Sequence, residues 1–107
     1  MSYKVILSDD AKKDMKAFNP AQERQIITQL NKFALNPLPK NEGGYGNPLG
    51  NKGGANLTGL CKIKFKKLGV RVVYQLIRAD KIMKVVVIAA RSDNEVYDIA
   101  ARRTGRA

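Results

Sequence analysis

The chain has no histidine, a single cysteine and only nine acidic residues in 107. Without an imidazole, proton transfer and charge stabilisation must be run by Lys, Arg and Tyr. The late acidic residues Asp93, Glu95 and Asp98 lack histidine support and metal-ligand spacing, so they read as surface charge. Neither a metal nor a cofactor is expected. One cysteine excludes an intramolecular disulfide, and Cys61 falls on the apolar side of a strand pattern, where it reads as a small buried hydrophobe. No stretch approaches a membrane span, and the first ten residues turn polar too soon for a signal peptide. Cytoplasmic location and no membrane partner are the expectation. The glycine-rich piece Gly43–Gly54 has no Gly-Lys-Ser/Thr, which rejects a phosphate loop and leaves a flexible connection in which Lys52 could touch an RNA backbone.

What the chain has in excess is positive charge. Twenty Lys and Arg against nine Asp and Glu leave +11, with a pI near 10.1. An imbalance of this size predicts fast, salt-sensitive association with polyanions, and solubility alone does not require it. With 107 residues and 44% hydrophobic content, residues 1–107 are expected to form one compact domain.

The elements follow from periodicity and punctuation. Tyr3–Leu7 reads as a strand and Ser8 as an N-cap, with Asp9 and Asp10 where the helix dipole favours acids. Ala11, Met15 and Phe18 recur at helical spacing until Asn19-Pro20. A second helix is predicted from about Ala21 to Asn36, with an apolar stripe of Ile26, Ile27, Leu30, Phe33 and Ala34. After an irregular stretch to Gly59, three strands are predicted at Leu60–Lys67, Arg71–Arg78 and Ile82–Arg91, close enough together to be an antiparallel meander. The Val85–Ile88 run marks a central strand covered on both faces. A short strand or turn near Glu95–Asp98 and a small helix over Ile99–Arg103 close the chain. The expected architecture is α+β, an antiparallel sheet with an N-terminal helical hairpin on one face.

The chemistry concentrates in the meander. From Cys61 to Lys67, Lys62, Lys64 and Lys66 alternate with Cys61, Ile63 and Phe65, so one strand face carries three cations and no acid. Lys62 and Lys64 lie about 7 Å apart along the strand. Their repulsion is roughly 2 kcal/mol at an effective dielectric of ~20, which leaves both mostly protonated. Edge-strand lysines that discourage aggregation are the bland alternative. Arg71 reaches this face if the hairpin register agrees, where it would grip phosphate oxygens. Arg91 closes the central strand at a loop and is equally a site residue or a charged strand terminator. Tyr97 could stack on a base or contact a ribose, or belong to the core, and Tyr74 reads as core. A histidine-free cationic face suits a phosphodiester better than a carbonyl.

The segment K-I-K-F-K-K-L-G-V-R-V-V-Y-Q, a valine-rich strand and R-S-D-N-E-V-Y resemble the RelE branch of the RelE/ParE toxin superfamily, over most of the chain. Cys61 departs from the pattern, standing where an aromatic is common. The resemblance implies the toxin of a type II toxin–antitoxin pair, a cytoplasmic endoribonuclease that enters the A site of the 70S ribosome and cuts mRNA there. It implies catalytic roles for Lys62, Lys64, Arg71, Arg91 and Tyr97, with Lys52, Lys66 and Lys67 as RNA or ribosome contacts. It also implies a cognate antitoxin, acidic and encoded alongside, through which alone operator DNA would be met. In-line attack by a ribose 2′-OH needs a proton acceptor and cations on the phosphorane but no metal. Lys62 or Lys64 would serve as base and charge stabiliser, Arg71 would hold the phosphate, Arg91 would sit near the leaving group and Tyr97 would orient the nucleotide. The competing readings are a gyrase-inhibiting toxin of the ParE branch and a non-catalytic basic RNA- or DNA-binding module.

Overall fold

Strand β1 (Lys4–Leu7) leads into helices α1 (Asp9–Met15) and α2 (Pro20–Phe33). A 3-10 turn (Lys40–Glu42) and three two-residue strands follow, β2 (Asn47–Pro48), β3 (Asn51–Lys52) and β4 (Ala55–Asn56). Then come β5 (Leu60–Phe65), β6 (Val70–Ile77), β7 (Ile82–Ala89) and helix α3 (Asp93–Arg103). The computed structural model describes residues 2–52 and 55–106, apart from the side chains of residues 51, 52 and 55.

Both N-terminal helices start where local chemistry dictates. The Ser8 hydroxyl accepts from the Ala11 amide at 3.1 Å. Asn19 and Gln22 form a reciprocal capping box at 2.8 and 2.9 Å, with Pro20 in the first turn. Each such cap is worth about 1 kcal/mol. Asn19-Pro20 is therefore a helix start as well as a stop. The second helix ends at Phe33 rather than near Asn36, and Ile27 is exposed, outside the buried stripe of Ile26 and Leu30.

Strands β5, β6 and β7 form the expected antiparallel meander inside a sheet of order β1-β7-β6-β5-β2. The first strand joins it in parallel, Leu7 opposite Val85, so the five-stranded sheet is mixed. The helical hairpin covers one face. Ala11, Met15, Ile26 and Leu30 pack there on Cys61, Ile63, Phe65, Val72, Tyr74, Met83 and Val85. Helix α3 covers part of the other face, with Val96, Tyr97, Ala100 and Ala101 on Leu60, Val73, Val86 and Val87. Cys61 and Tyr74 are both core, as expected, and the Tyr74 hydroxyl donates to the Pro37 carbonyl at 2.6 Å. A Cβ on Gly46 would stand 2.1 Å from that hydroxyl, so only glycine fits.

Further boundaries differ from expectation, among them the end of β7, which stops at Ala89 so that Arg91 lies in the loop before α3 and does not close the strand. The described residues between 37 and 59 are more than a flexible connection: β2 pairs Asn47 with Lys62 and Pro48 with Cys61, and Leu49 and Leu57 are buried. Two-residue strands carry no readable period, and proline is tolerated at a sheet edge. Lys66 and Lys67 belong to the turn, since β5 ends at Phe65. The strand or turn placed at Glu95–Asp98 is helical, part of an unbroken α3 capped by Ser92.

Along β7 the register shifts, pairing Val73 with Val87 and Tyr74 with Val85, and Val86 is the extra residue of a bulge. Past Val85 the first strand has ended, and side chains take over its hydrogen-bonding role. Asp14 accepts from the Ile88 amide at 3.0 Å, and Arg103 donates to the Val86 carbonyl at 2.9 Å. Arg103 and Asp14 pair with each other through a fork at 2.6 and 3.0 Å. Removing Asp14 strands a guanidinium and a backbone donor in a partly buried setting, a loss of about 2 kcal/mol. Asp14→Ala is expected to lower the melting temperature by roughly 8–15 °C. Asp10→Ala, whose carboxylate is 4.0 Å from Arg103 and largely exposed, should change stability by no more than about 0.5 kcal/mol. Equal melting of both variants would show that the clamp carries no stability.

Candidate functional site

The β5–β6 register sets Lys64 opposite Arg71 and Lys62 opposite Val73. Lys62, Lys64 and Arg71 consequently share one face, the one on which α3 lies. The edge-strand alternative fails at Lys62, because β2 pairs alongside it. Helix α3 docks with its first turn beside these cations. Asp93 Oδ1 accepts from Lys62 Nζ at 3.3 Å and from Arg71 Nε at 2.5 Å. A second Arg71 nitrogen donates to the Arg91 carbonyl, which ties the sheet to the loop entering α3. The Arg91 side chain sits on the rim, exposed, and meets Glu95 at 3.2 Å. Lys64 is exposed and makes no ion pair among the described residues.

Tyr97 stands one helical turn after Asp93, so both face the sheet. The residue is only 9% exposed, and Lys62 Nζ lies 5.5 Å from the ring centroid, within cation–π range. A stacking platform needs an open ring face, which this position does not offer in the resting protein. Tyr97 is part of the core and at the same time a neighbour of Lys62.

Electrostatics at Lys62 run against the sequence expectation. Burial pushes its ammonium down, but Tyr97 and Asp93 outweigh that and hold it above the ordinary lysine value of 10.5. Burial likewise pushes Asp93 up, and the charges and hydrogen bonds of Lys62 and Arg71 overcome it, leaving the carboxyl below its usual 3.8. The repulsion reckoned between Lys62 and Lys64 acts over about 7 Å, whereas the Asp93 carboxylate is at less than half that distance. The acidic residues therefore split: Asp98 is exposed surface charge, while Asp93 is the centre of the cationic cluster. The sequence did carry a signal for this. Ser92 followed by Glu95 is a helix-start pattern, and it sets Asp93 in the first turn.

Lys66 and Lys67, exposed in the β5–β6 turn, line an open groove of about 480 Å³ with Lys64, Gln25, Gln29 and Phe33. The side chain of Lys52 lies outside the described residues.

A meander with a helical hairpin behind it and a third helix on its other face is a fold shared with solved RelE toxins. A mutant of Escherichia coli toxin RelE in the free state superposes with a TM-score of 0.73 at 24% identity, covering 96% of this chain and 98% of that one. The same toxin in complex with an antitoxin RelBc peptide gives 0.67 at 24% identity, over 94% and 95%. The toxin–antitoxin complex RelBE2 from Mycobacterium tuberculosis gives 0.62 at 18%, over 85% and 100%. At these identities the likeness is one of fold. In sequence, the chain is 32% identical over 107 residues to an Escherichia coli protein described, itself by likeness, as a RelE-like toxin, covering 96% of this chain and 98% of that one. No protein-family model matches. The chain belongs to the RelE-like toxin family.

The Lys62–Asp93 pair makes a titration prediction. The depressed Asp93 contributes stability that is complete above about pH 4 and lost as pH falls through its lower folded value. The elevated Lys62 contributes stability that is complete below about pH 10 and lost as pH rises through its higher folded value. In an NMR titration of the lysine side chains, the Lys62 amine should remain protonated above pH 10.5. Asp93→Asn should bring its titration down. An unmoved midpoint in that variant would show that Asp93 does not govern the lysine.

Proposed function

We propose that this chain is the toxin of a type II toxin–antitoxin pair and acts as a ribosome-dependent endoribonuclease, one domain that cuts mRNA in the A site of the 70S ribosome and so inhibits translation. The observation that carries the reading is the register opposing Lys64 and Arg71 with Lys62 on the same face, which gathers three cations within one loop of Arg91. Family membership, and the antitoxin complexes solved for proteins of the same fold, support an antitoxin partner for this chain too. A +11 domain suits an acidic one, with operator DNA met only through it. The setting is the cytoplasm, and no helix among the described residues is long and apolar enough to cross a membrane.

The proposed reaction is in-line transfer. The ribose 2′-oxygen bonds to the adjacent phosphorus as the bond from phosphorus to the 5′-oxygen breaks, leaving a 2′,3′-cyclic phosphate and a 5′-hydroxyl. Lys62, held as an ammonium, and Arg71 stabilise the phosphorane oxygens. The 2′-OH proton passes to the uncharged amine form of Lys64, the site lysine without an ion-pair partner among the described residues, and the ammonium so formed stays beside the phosphorane. Arg91 offsets charge on the leaving 5′-oxygen, which takes its proton from water. Tyr97 acts from the edge of its ring, orienting Lys62 and the nucleotide rather than stacking on a base. The ribosome supplies the alignment that an open site lacks. Lys66 and Lys67, with Lys52, are its contacts to RNA backbone.

On programmed ribosomes, mRNA with a 2′-deoxy or 2′-O-methyl attacking nucleotide should resist cleavage, while the all-ribose message yields the cyclic phosphate. Cleavage of the 2′-deoxy message at the normal rate would sink the mechanism. Arg91→Ala should lower the cleavage rate roughly 10²- to 10³-fold, with stability changed by no more than about 0.5 kcal/mol. Loss of RNA affinity in step with activity would indicate a binding module instead.

A further inference from the structure

A single carboxylate oxygen, Asp93 Oδ1, is shared by the ammonium of Lys62 and the guanidinium of Arg71. That is also how a phosphate oxygen would be held by the same two groups. The two cations are largely covered, with side chains 16% and 19% exposed, whereas the Asp93 side chain is 44% exposed at the first turn of α3. The carboxylate can therefore swing to solvent while its partners stay where the sheet fixes them. Arg71 keeps a second anchor at the Arg91 carbonyl, so its guanidinium remains aimed at the site when the carboxylate leaves. Glu95 is placed differently, accepting from the Ser92 hydroxyl at 3.0 Å and pairing with the exposed Arg91 four residues back on the chain, an ion pair worth little.

We propose that Asp93 is an internal occupant of the phosphate position, a positioning residue that holds Lys62 and Arg71 in register at rest and is displaced by the RNA phosphate when substrate binds. The inference rests on the phosphodiester reading of the site. It makes the resting protein a weaker binder of RNA than its charge implies, since each productive encounter exchanges one anion for another. It also places an anion between two neighbouring cations, Lys62 and Arg71, that would otherwise face one another.

The test is the affinity of the purified chain for an uncleavable, fully 2′-O-methylated RNA oligonucleotide, measured by fluorescence anisotropy. Asp93→Asn should bind roughly three- to tenfold more tightly than wild type. Asp98→Asn, which removes the same charge from an exposed position on the same helix, should stay within about twofold. Asp93→Ser, a second uncharged replacement suited to a helix start, should behave as Asp93→Asn does and guards against a folding defect in one variant. On programmed ribosomes, KM should fall in Asp93→Asn by more than kcat changes. Equal tightening in the Asp93 and Asp98 variants would reduce the effect to net charge and overturn the proposal, as would unchanged or weaker binding by both Asp93 variants. If wild type fails to cleave on ribosomes while the Asp93 variants still bind more tightly, the nuclease reading falls and the displaced counter-ion stands. If cleavage proceeds and the Asp93 variants bind no better, the counter-ion alone falls.

Discussion

The ion pair between Asp14 and Arg103 joins the two ends of the chain, 89 residues apart, where β7 runs on past the end of β1. Strand β1 is too short to pair with all of β7, and the bulge at Val86 turns backbone groups toward the gap. Exposed backbone there would invite water into the sheet or pairing with another chain. Asp14 and Arg103 close the gap with side chains, and in doing so pin the last turn of α3 against α1 and the sheet. Apolar contacts from Val96, Tyr97, Ala100 and Ala101 hold the middle of the helix. Between them these contacts leave its first turn beside Lys62 and Arg71. The position of Asp93 is thus a consequence of packing at the opposite end of the same helix.

Charge is organised unevenly as a result. The chain carries a large excess of cations, yet on the site face the covered ones are matched and the exposed ones less so. Lys62 and Arg71 share Asp93, and Arg91 meets Glu95 in solvent. Lys64 is exposed without an ion-pair partner among the described residues, and Lys66 and Lys67 in the adjoining turn line an open groove on the α2 side. Covered cations need a local counter-charge because water cannot solvate them fully, whereas exposed ones are screened. That division separates a pre-set pair from a looser cationic rim in which long-range attraction to a polyanion is strongest.

A good part of the fold could be read from local pattern. Ser8 and Asn19 begin helices because their side chains satisfy amides within the next turn. The alternation from Cys61 to Phe65 separates a core face from a cationic face because strand side chains alternate. The Val85–Ile88 run is buried on both sides, as its composition requires. Misreadings arose where the pattern is short or mixed. Asn47-Pro48 is too brief to show a period, and Ser92 to Asp98 is polar enough at its start to hide a helix whose buried residues begin only at Val96.

The sequence by itself determined which residue types are available to the site, the alternation that puts Lys62 and Lys64 on one face, and the net charge of +11. These depend on neighbours a few residues apart. Only the tertiary structure decided that Arg71 opposes Lys64, that β1 enters in parallel, that Tyr97 is buried, and that Asp93 holds Lys62 from 31 residues away. Tyr97 and Asp93 together hold the Lys62 ammonium above its ordinary value against burial. Coulomb energy falls with distance, and distances between residues far apart in sequence exist only once the sheet has paired and α3 has docked.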